Sequence, residues 1–215
     1  MIFTALIVII AAYLLGSINF AVIFTKAFNK GDIRNYGSGN AGTTNVMRVG
    51  GVLPGTLTFI CDALKGFIAC MLGKIVFAYI AQNIVASWAV PYAGAYLCAV
   101  ACMIGHIFPL FFGFKGGKGV ATSVGIFSVC CPIAIVIGLV VFAVVTIISR
   151  YVSLGSLVAT VVVIVLATVF RNENTPAFVQ IICSLIMAGL IYYKHIDNIK
   201  RLINGTENKV SIGGK

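Results

Sequence analysis

VATSVGIFSVCCPIAIVIGLVVFAVVTII, residues 120–148, carries no charge over 29 positions and has Cys130, Cys131 and Pro132 near its middle. About 20 apolar residues cross a bilayer, so this stretch is long for one crossing and short for two. The charges outside it decide between the two. If the chain turns back at Pro132, the segments 26–52, 113–119, 149–150 and 194–215 lie on one side, with four, two, one and five Lys+Arg. The opposite loops then hold only Arg171, while Lys65 and Lys74 fall inside the second apolar run. A single crossing would put the basic C-terminal segment opposite the first two basic loops. The positive-inside bias therefore predicts a turn at Pro132 and an all-α integral membrane fold of seven transmembrane helices, N-terminus outside and C-terminus cytoplasmic. The helix before Pro132 is expected to be short.

The composition agrees. Of 215 residues, 60% are hydrophobic and 9% charged, and the mean hydropathy is +1.09. These values exclude a soluble globular domain, a disordered chain and a disulfide-stapled secreted one. The net charge of +10 would suggest nucleic acid in a soluble protein. Here it is read as topology, and no nucleic acid partner is expected. All seven cysteines lie in apolar stretches without C-x-x-C spacing and read as small hydrophobes, so no metal site is expected.

The first 25 residues are uncharged, and the first basic residue, Lys26, follows the apolar run where a signal peptide would have one before it. A retained first helix is expected, followed by apolar runs near 53–80, 87–112, 120–148, 151–170 and 176–193, in one membrane domain spanning 1–215. Glycine is uneven too: seven of 23 lie in residues 31–55 and six in 105–125. Irregular, glycine-rich, charged backbone at a membrane boundary suits a polar site, because glycine lets backbone N–H groups approach a ligand.

Two motifs occupy those windows. GSGNAGTTNVMRVGG, Gly37–Gly51, supplies Ser38, Asn40, Thr43, Thr44 and Asn45 as small polar groups and Arg48 as a planar fork suited to phosphate. It reads as loop into helix, with free N–H groups for an anion; the alternative is a polar turn anchored by its arginine. GHIFPLFFGFKGGKGVATS, Gly105–Ser123, places Gly116, Gly117, Lys118 and Gly119 directly before an apolar helix. There a phosphate would meet backbone amides, a helix dipole and a lysine together. It is not a Walker A loop, since Phe112 and Gly119 stand where that motif needs Gly and Ser/Thr.

Two smaller features complete the inventory. RYVSLGS, Arg150–Ser156, and YYKHIDNIKRL, Tyr192–Leu202, set Ser153 with Ser156, and His195 with Asn198 and Arg201, at helical spacing. The structural alternatives are an N-cap at Ser153 and an Asp197–Arg201 i,i+4 pair on an exit helix. Asp62 and Lys65 lie three apart inside an apolar helix, where charges face the protein interior and pair.

These motifs, with the tail HIDNIKRLINGTENK, resemble in order the successive motifs of the bacterial integral-membrane acyl-phosphate:glycerol-3-phosphate acyltransferases, the PlsY family. Thr43 stands where that family favours Ala. The resemblance implies a seven-helix enzyme with its active site at the cytoplasmic membrane boundary, in the bacterial inner membrane. It implies transfer of a fatty acyl group from acyl phosphate to the sn-1 hydroxyl of glycerol 3-phosphate, the first step of phospholipid synthesis, without cofactor or obligate protein partner. It assigns Lys118, His195, Asn198 and Ser153 to catalysis. Ser38, Asn40, Asn45, Arg48, His195, Asn198 and Arg201 would hold glycerol 3-phosphate, and Gly116, Gly117, Lys118, Gly119, Thr122 and Ser156 the acyl phosphate. Asp62, Lys65 and His106 would support the site. No Ser or Cys sits beside a base, so direct transfer without an acyl-enzyme is expected. The reading from another class is a phosphate-ester transporter, which would be expected to show inverted repeats and a midplane site.

The topology has a direct test. Single cysteines introduced at position 40 and in the C-terminal tail should label from the same face of sealed vesicles, and one at position 173 from the other. Labelling of position 40 and the tail from opposite faces would refute the turn at Pro132.

Overall fold

The computed structural model describes residues 2–84, 90–171 and 175–210, and among them the regular structure is entirely helical. The expected start of the third run at 87 and the loop position 173 lie outside the described residues. Six stretches are long and apolar enough to cross a membrane, and a seventh apolar helix has 11 residues.

The first apolar run is not one helix. α1 (Ile2–Gly16) stops at Ser17–Asn19, and α2 (Phe20–Ala27) starts afresh. Polar side chains cause the break: the Ser17 hydroxyl donates back to the Tyr13 carbonyl (2.9 Å), and the Asn19 side chain accepts from the Val22 amide (3.2 Å) as an N-cap. The first glycine motif then folds as a loop running into α3 (Thr43–Gly50), as expected.

α4 (Val52–Ile84) is the hub, packing on α1, α3, α5 (Pro91–Ile107) and α6 (Val120–Cys130). Close approach sets these contacts. A Cβ at Gly73 would run into the Gly94 carbonyl and one at Gly94 into that of Gly73, so α4 and α5 touch backbone to backbone. Gly66 and Gly125 do the same for α4 and α6. Hydrocarbon gives no hydrophobic drive between helices, and dispersion across such small-residue seams takes its place.

The uncharged stretch of 120–148 breaks at Cys131, which is extended (φ −157°, ψ 82°), with Pro132 opening α7 (Pro132–Ser149). Proline excludes the helical region for the residue before it and is pre-set for the first helical position. Arg150, in the left-handed region (φ 64°), then ends α7 and leads into α8 (Val152–Val169). The Cys131 thiol reaches the Phe170 carbonyl at the far end of α8, while Lys118, just before α6, bonds Asn198, whose partner Glu207 also accepts from Ser153 at the near end. α6 and α7 thus run in opposite directions. α9 (Ala177–Lys194) returns to the near end, and α10 (Ile196–Ile203) follows it after a break at His195.

The seven cysteines are free, six of them buried, which matches their reading as packing residues. Because a Cβ at Gly94 would meet the Gly73 carbonyl and the Phe77 ring, Gly94→Val should cost about 1–3 kcal/mol by overpacking. A thermal melt in detergent measures this as a lower midpoint.

Candidate active site

Both glycine motifs and the tail converge at the near end of the bundle on a polar cleft of about 990 Å3. The first loop is shaped from within by Asn45. Its amide donates to the Tyr36 and Asn40 carbonyls (3.0 and 3.1 Å), and its Oδ1 accepts from the Ser38 amide (2.9 Å). Asn45, expected to face substrate, is buried with its side chain bonded within the loop. It shapes the turn that brings Ser38 and Asn40 to the cleft wall.

The second loop is strapped to the first. Arg34, held against the Asp32 carboxylate (2.8 Å), donates to the Phe112 carbonyl (2.6 Å). Below, the Gly116 and Gly117 amides donate to the Ile107 and His106 carbonyls (3.1 and 3.2 Å). This folds the turn back onto the end of α5 and leaves Gly116 and Lys118 on the cleft wall. Gly119, in the left-handed region (φ 86°), starts α6.

The opposite wall comes from α10 and the tail. Lys118 donates to the Asn198 side-chain oxygen, and Asn198 donates to Glu207 (2.6 Å). The same carboxylate accepts from Ser153 (2.9 Å) and from Arg201 Nε (2.7 Å). Arg201 therefore pairs with Glu207 and not with Asp197, and Ser153 is no helix cap: Tyr151 holds that place, and the Ser153 hydroxyl reaches into the site. Glu207, Lys194 and Arg34 were not singled out in the sequence. Charged residues near a cytoplasmic boundary are common, and only the fold shows that the tail carries Glu207 back over Ser153.

Burial tunes these groups. Loss of water brings the Lys118 ammonium down to about 8, against a smaller opposing pull from Glu207. Burial, with Lys118 beside it, takes His195 down to about 4. His195 Nδ1 lies 2.8 Å from the Ile191 carbonyl, which can only accept, so Nδ1 carries the proton and Nε2 is left as an acceptor. Burial alone would raise Glu207, but the hydrogen bonds from Asn198, Arg201 and Ser153 hold it below its ordinary value.

The remaining expected residues separate. Ser38, Asn40, Gly116, Lys118, Asn198 and Arg201 share the cleft, and His195 and Ser153 are buried directly behind its wall. Arg48 is not among the residues lining the cleft; it is exposed in the last turn of α3. Nor is Thr122, which is fully buried with its carbonyl and methyl group against Gly66 of α4. Ser156 bonds back to the Val152 carbonyl (2.9 Å) and lines a second, apolar slot of about 90 Å3. That slot lies between α6, α7, α8 and α9, walled by Val124, Phe127, Gly138, Phe142, Val163 and Met187. Asp62, Lys65 and His106 form a buried group beneath the second loop, with Lys65 Nζ and His106 Nδ1 at 2.8 and 3.5 Å from Asp62 Oδ1.

A cationic cleft and a separate apolar slot, in a bundle with six stretches long and apolar enough to cross a membrane, define an integral membrane protein with sites of opposite polarity. The profile of the glycerol-3-phosphate acyltransferase family matches residues 6–205. Glycerol-3-phosphate acyltransferase of Thermoanaerobacter sp. (strain X514) is 44% identical over 206 residues, 96% of each chain. Glycerol-3-phosphate acyltransferase 2 of Bacillus anthracis is 40% identical over 202 residues, covering 94% of this chain and 97% of that one. The crystal structure of PlsY, an integral membrane glycerol 3-phosphate acyltransferase, in its glycerol 3-phosphate form superposes with a TM-score of 0.81 at 36% identity over 96% of both chains. Its lysophosphatidic acid form gives 0.79 at 35% identity over 96% and 95%. The chain belongs to the PlsY family of glycerol-3-phosphate acyltransferases and is an acyltransferase of the membrane.

The Lys118 value sets a pH dependence. An ammonium titrating at about 8 is charged below that pH and lost above it, whereas inorganic phosphate gains its second charge near pH 7. Phosphate binding should therefore peak near neutrality and weaken above pH 8, by up to about tenfold per unit as the charged fraction falls. Isothermal titration calorimetry between pH 6 and 10 measures it, and Lys118→Arg, whose guanidinium stays charged, should flatten the alkaline limb.

Proposed function

We propose that this protein transfers a fatty acyl group from acyl phosphate to the sn-1 hydroxyl of glycerol 3-phosphate, giving 1-acylglycerol 3-phosphate and inorganic phosphate. The observation that carries this reading is the placing of α8: Ser153 contributes to the polar network, and Ser156, one turn further along the same helix, lines the apolar slot. A donor with a phosphate head and a fatty tail fits that junction. The head would lie on the Gly116–Gly119 turn with Lys118, and the chain would lie between α6 and α8. Glycerol 3-phosphate would occupy the rest of the cleft against Ser38, Asn40, Asn198 and Arg201.

The chemistry asks little beyond alignment, because acyl phosphate is already activated. The sn-1 oxygen attacks the carbonyl carbon, the bond from that carbon to the phosphate oxygen breaks, and Lys118 offsets the charge gathering on the carbonyl and leaving phosphate. The hydroxyl proton passes to the phosphate. Support for that route comes from His195: a group titrating at about 4 is a weaker base than a phosphate monoester, whose second pKa is near 6. His195 then orients the hydroxyl through Nε2 without keeping its proton.

We read 1–215 as a single catalytic domain crossing the bacterial cytoplasmic membrane seven times, N-terminus outside, with the cleft on the cytoplasmic side. Support comes from the break at Pro132, the reversed course of α6 and α7, and the gathering of basic residues around the cleft. An 11-residue α6 spans about 16 Å, so the bilayer there would be thinned or the helix inset.

Purified protein given labelled glycerol 3-phosphate with acyl phosphate, acyl-CoA or acyl carrier protein should form product with acyl phosphate alone. A charged hydrogen bond is worth about 1.5–3 kcal/mol, so Lys118→Ala should lower acyl-phosphate turnover by roughly one to two orders of magnitude. Equal rates from acyl-CoA, or uptake of glycerol 3-phosphate by vesicles without acylation, would overturn the reading.

A further inference from the structure

A cluster of three buried titratable side chains lies directly beneath the second glycine turn. Asp62 and Lys65 of α4 and His106 of α5 are 2%, 2% and 6% exposed. Lys65 Nζ is 2.8 Å from Asp62 Oδ1 and donates to the Ile18 carbonyl (2.8 Å) in the break between α1 and α2. The Phe20 ring, its centroid 5.6 Å away, covers that ammonium. His106 Nδ1 lies 3.5 Å from the same carboxylate oxygen.

What the group supports is visible at Gly117. A Cβ built there would collide with His106 Nε2 on one side and with the Ala41 carbonyl on the other. The Gly117 amide donates to the His106 carbonyl (3.2 Å). Gly117 is thus pinched between the far edge of the imidazole and the turn of the first loop, one residue before Lys118. The imidazole's near edge faces Asp62. An ionised Asp62 selects the tautomer with the proton on Nδ1 and fixes the ring plane, much as a carboxylate behind a metal-ligating histidine does. One carboxylate therefore holds the ring under the second loop, and through Lys65 it holds the start of α2, which leads into the first.

We propose that Asp62 and His106 are positioning residues for acyl transfer: Asp62 orients His106, and His106 sets the height of the Gly117–Lys118 backbone that receives the donor phosphate. Lys65 keeps Asp62 charged where neither water nor lipid would. Neither group touches substrate. This rests on the reading of the second loop as a phosphate site.

The test separates positioning from plain packing. Replacing one member of the ion pair strands a buried charge, so the pair is removed together as Asp62→Leu/Lys65→Met, a change that buried pairs tolerate. His106→Phe keeps the ring volume and loses the polar contact with Asp62; His106→Asn keeps a polar group toward Asp62 and loses the ring edge against Gly117. The KM for acyl phosphate should rise about tenfold or more in the double variant and in His106→Phe, the cost of one mispositioned charged contact. The KM for glycerol 3-phosphate should change little, and thermal stabilisation by inorganic phosphate should shrink in parallel. His106→Asn should fall between these variants and the parent. A lower melting temperature and a smaller active fraction with both KM values and phosphate stabilisation unchanged would mean packing alone and overturn the proposal, as would variants indistinguishable from the parent. The phosphate melt needs no acyl donor, so a parent enzyme that failed to use acyl phosphate would fail the donor reading separately.

Discussion

An ammonium and a carboxylate 2.8 Å apart, both all but inaccessible to solvent, sit on α4, with the Ile18 carbonyl, the Phe20 ring and His106 around them in place of water. Leaving either partner alone in such a place costs about 3–5 kcal/mol, a large share of the roughly 5–15 kcal/mol that holds an ordinary domain folded. The helices around the pair are therefore not free to choose their neighbours. α4 must present Asp62 to α5 and Lys65 to the broken end of α1, and the glycine seams allow the backbones to come close enough to do so. The irregular backbone of the two loops can then be packed over this floor, its carbonyls and amides paired within the protein as an apolar surrounding requires.

The two cavities divide the labour by dielectric. The cleft has Lys26, Arg34, Lys115, Lys118, Lys194 and Arg201 on its walls against Asp32 and Asp197, an excess of positive charge that favours phosphate esters. The slot beside it has apolar walls apart from the hydroxyls of Ser123, Ser156 and Thr160, and each of these donates to a carbonyl of its own helix. The hydroxyls are thereby satisfied, and the slot presents hydrocarbon. α8 belongs to both environments, offering Ser153 to the network and Ser156 to the slot within one helical turn.

Much of this was legible in the sequence, for physical reasons that differ by feature. The break at Pro132 followed from charge distribution alone, because the bias of basic residues acts on whole loops and needs no side-chain geometry. The loops were visible because five small polar residues and an arginine, or three glycines and a lysine, are unusual company in so apolar a chain. The cut at Ser17–Asn19 was not seen, since hydropathy averages over a window and two short polar side chains hardly change it. Asn45 looked like a ligand by type; that its amide is spent on three carbonyls and its oxygen on the Ser38 amide is a property of the folded loop. Glu207 went unremarked because it lies four residues beyond the last helix, and its partner Ser153 is brought to it by the packing of α8 against α9 and α10.

The tail has a consequence for how the site is held together. Residues 204–210 fold back across the end of the bundle, with the Val210 amide on the Arg150 carbonyl (2.8 Å) and Glu207 joining Ser153, Asn198 and Arg201. Side chains from α8 and α10 thus hang from one carboxylate, and their bonds hold its pKa below its ordinary value. Loss of that single anchor would release Ser153, Asn198 and Arg201 together.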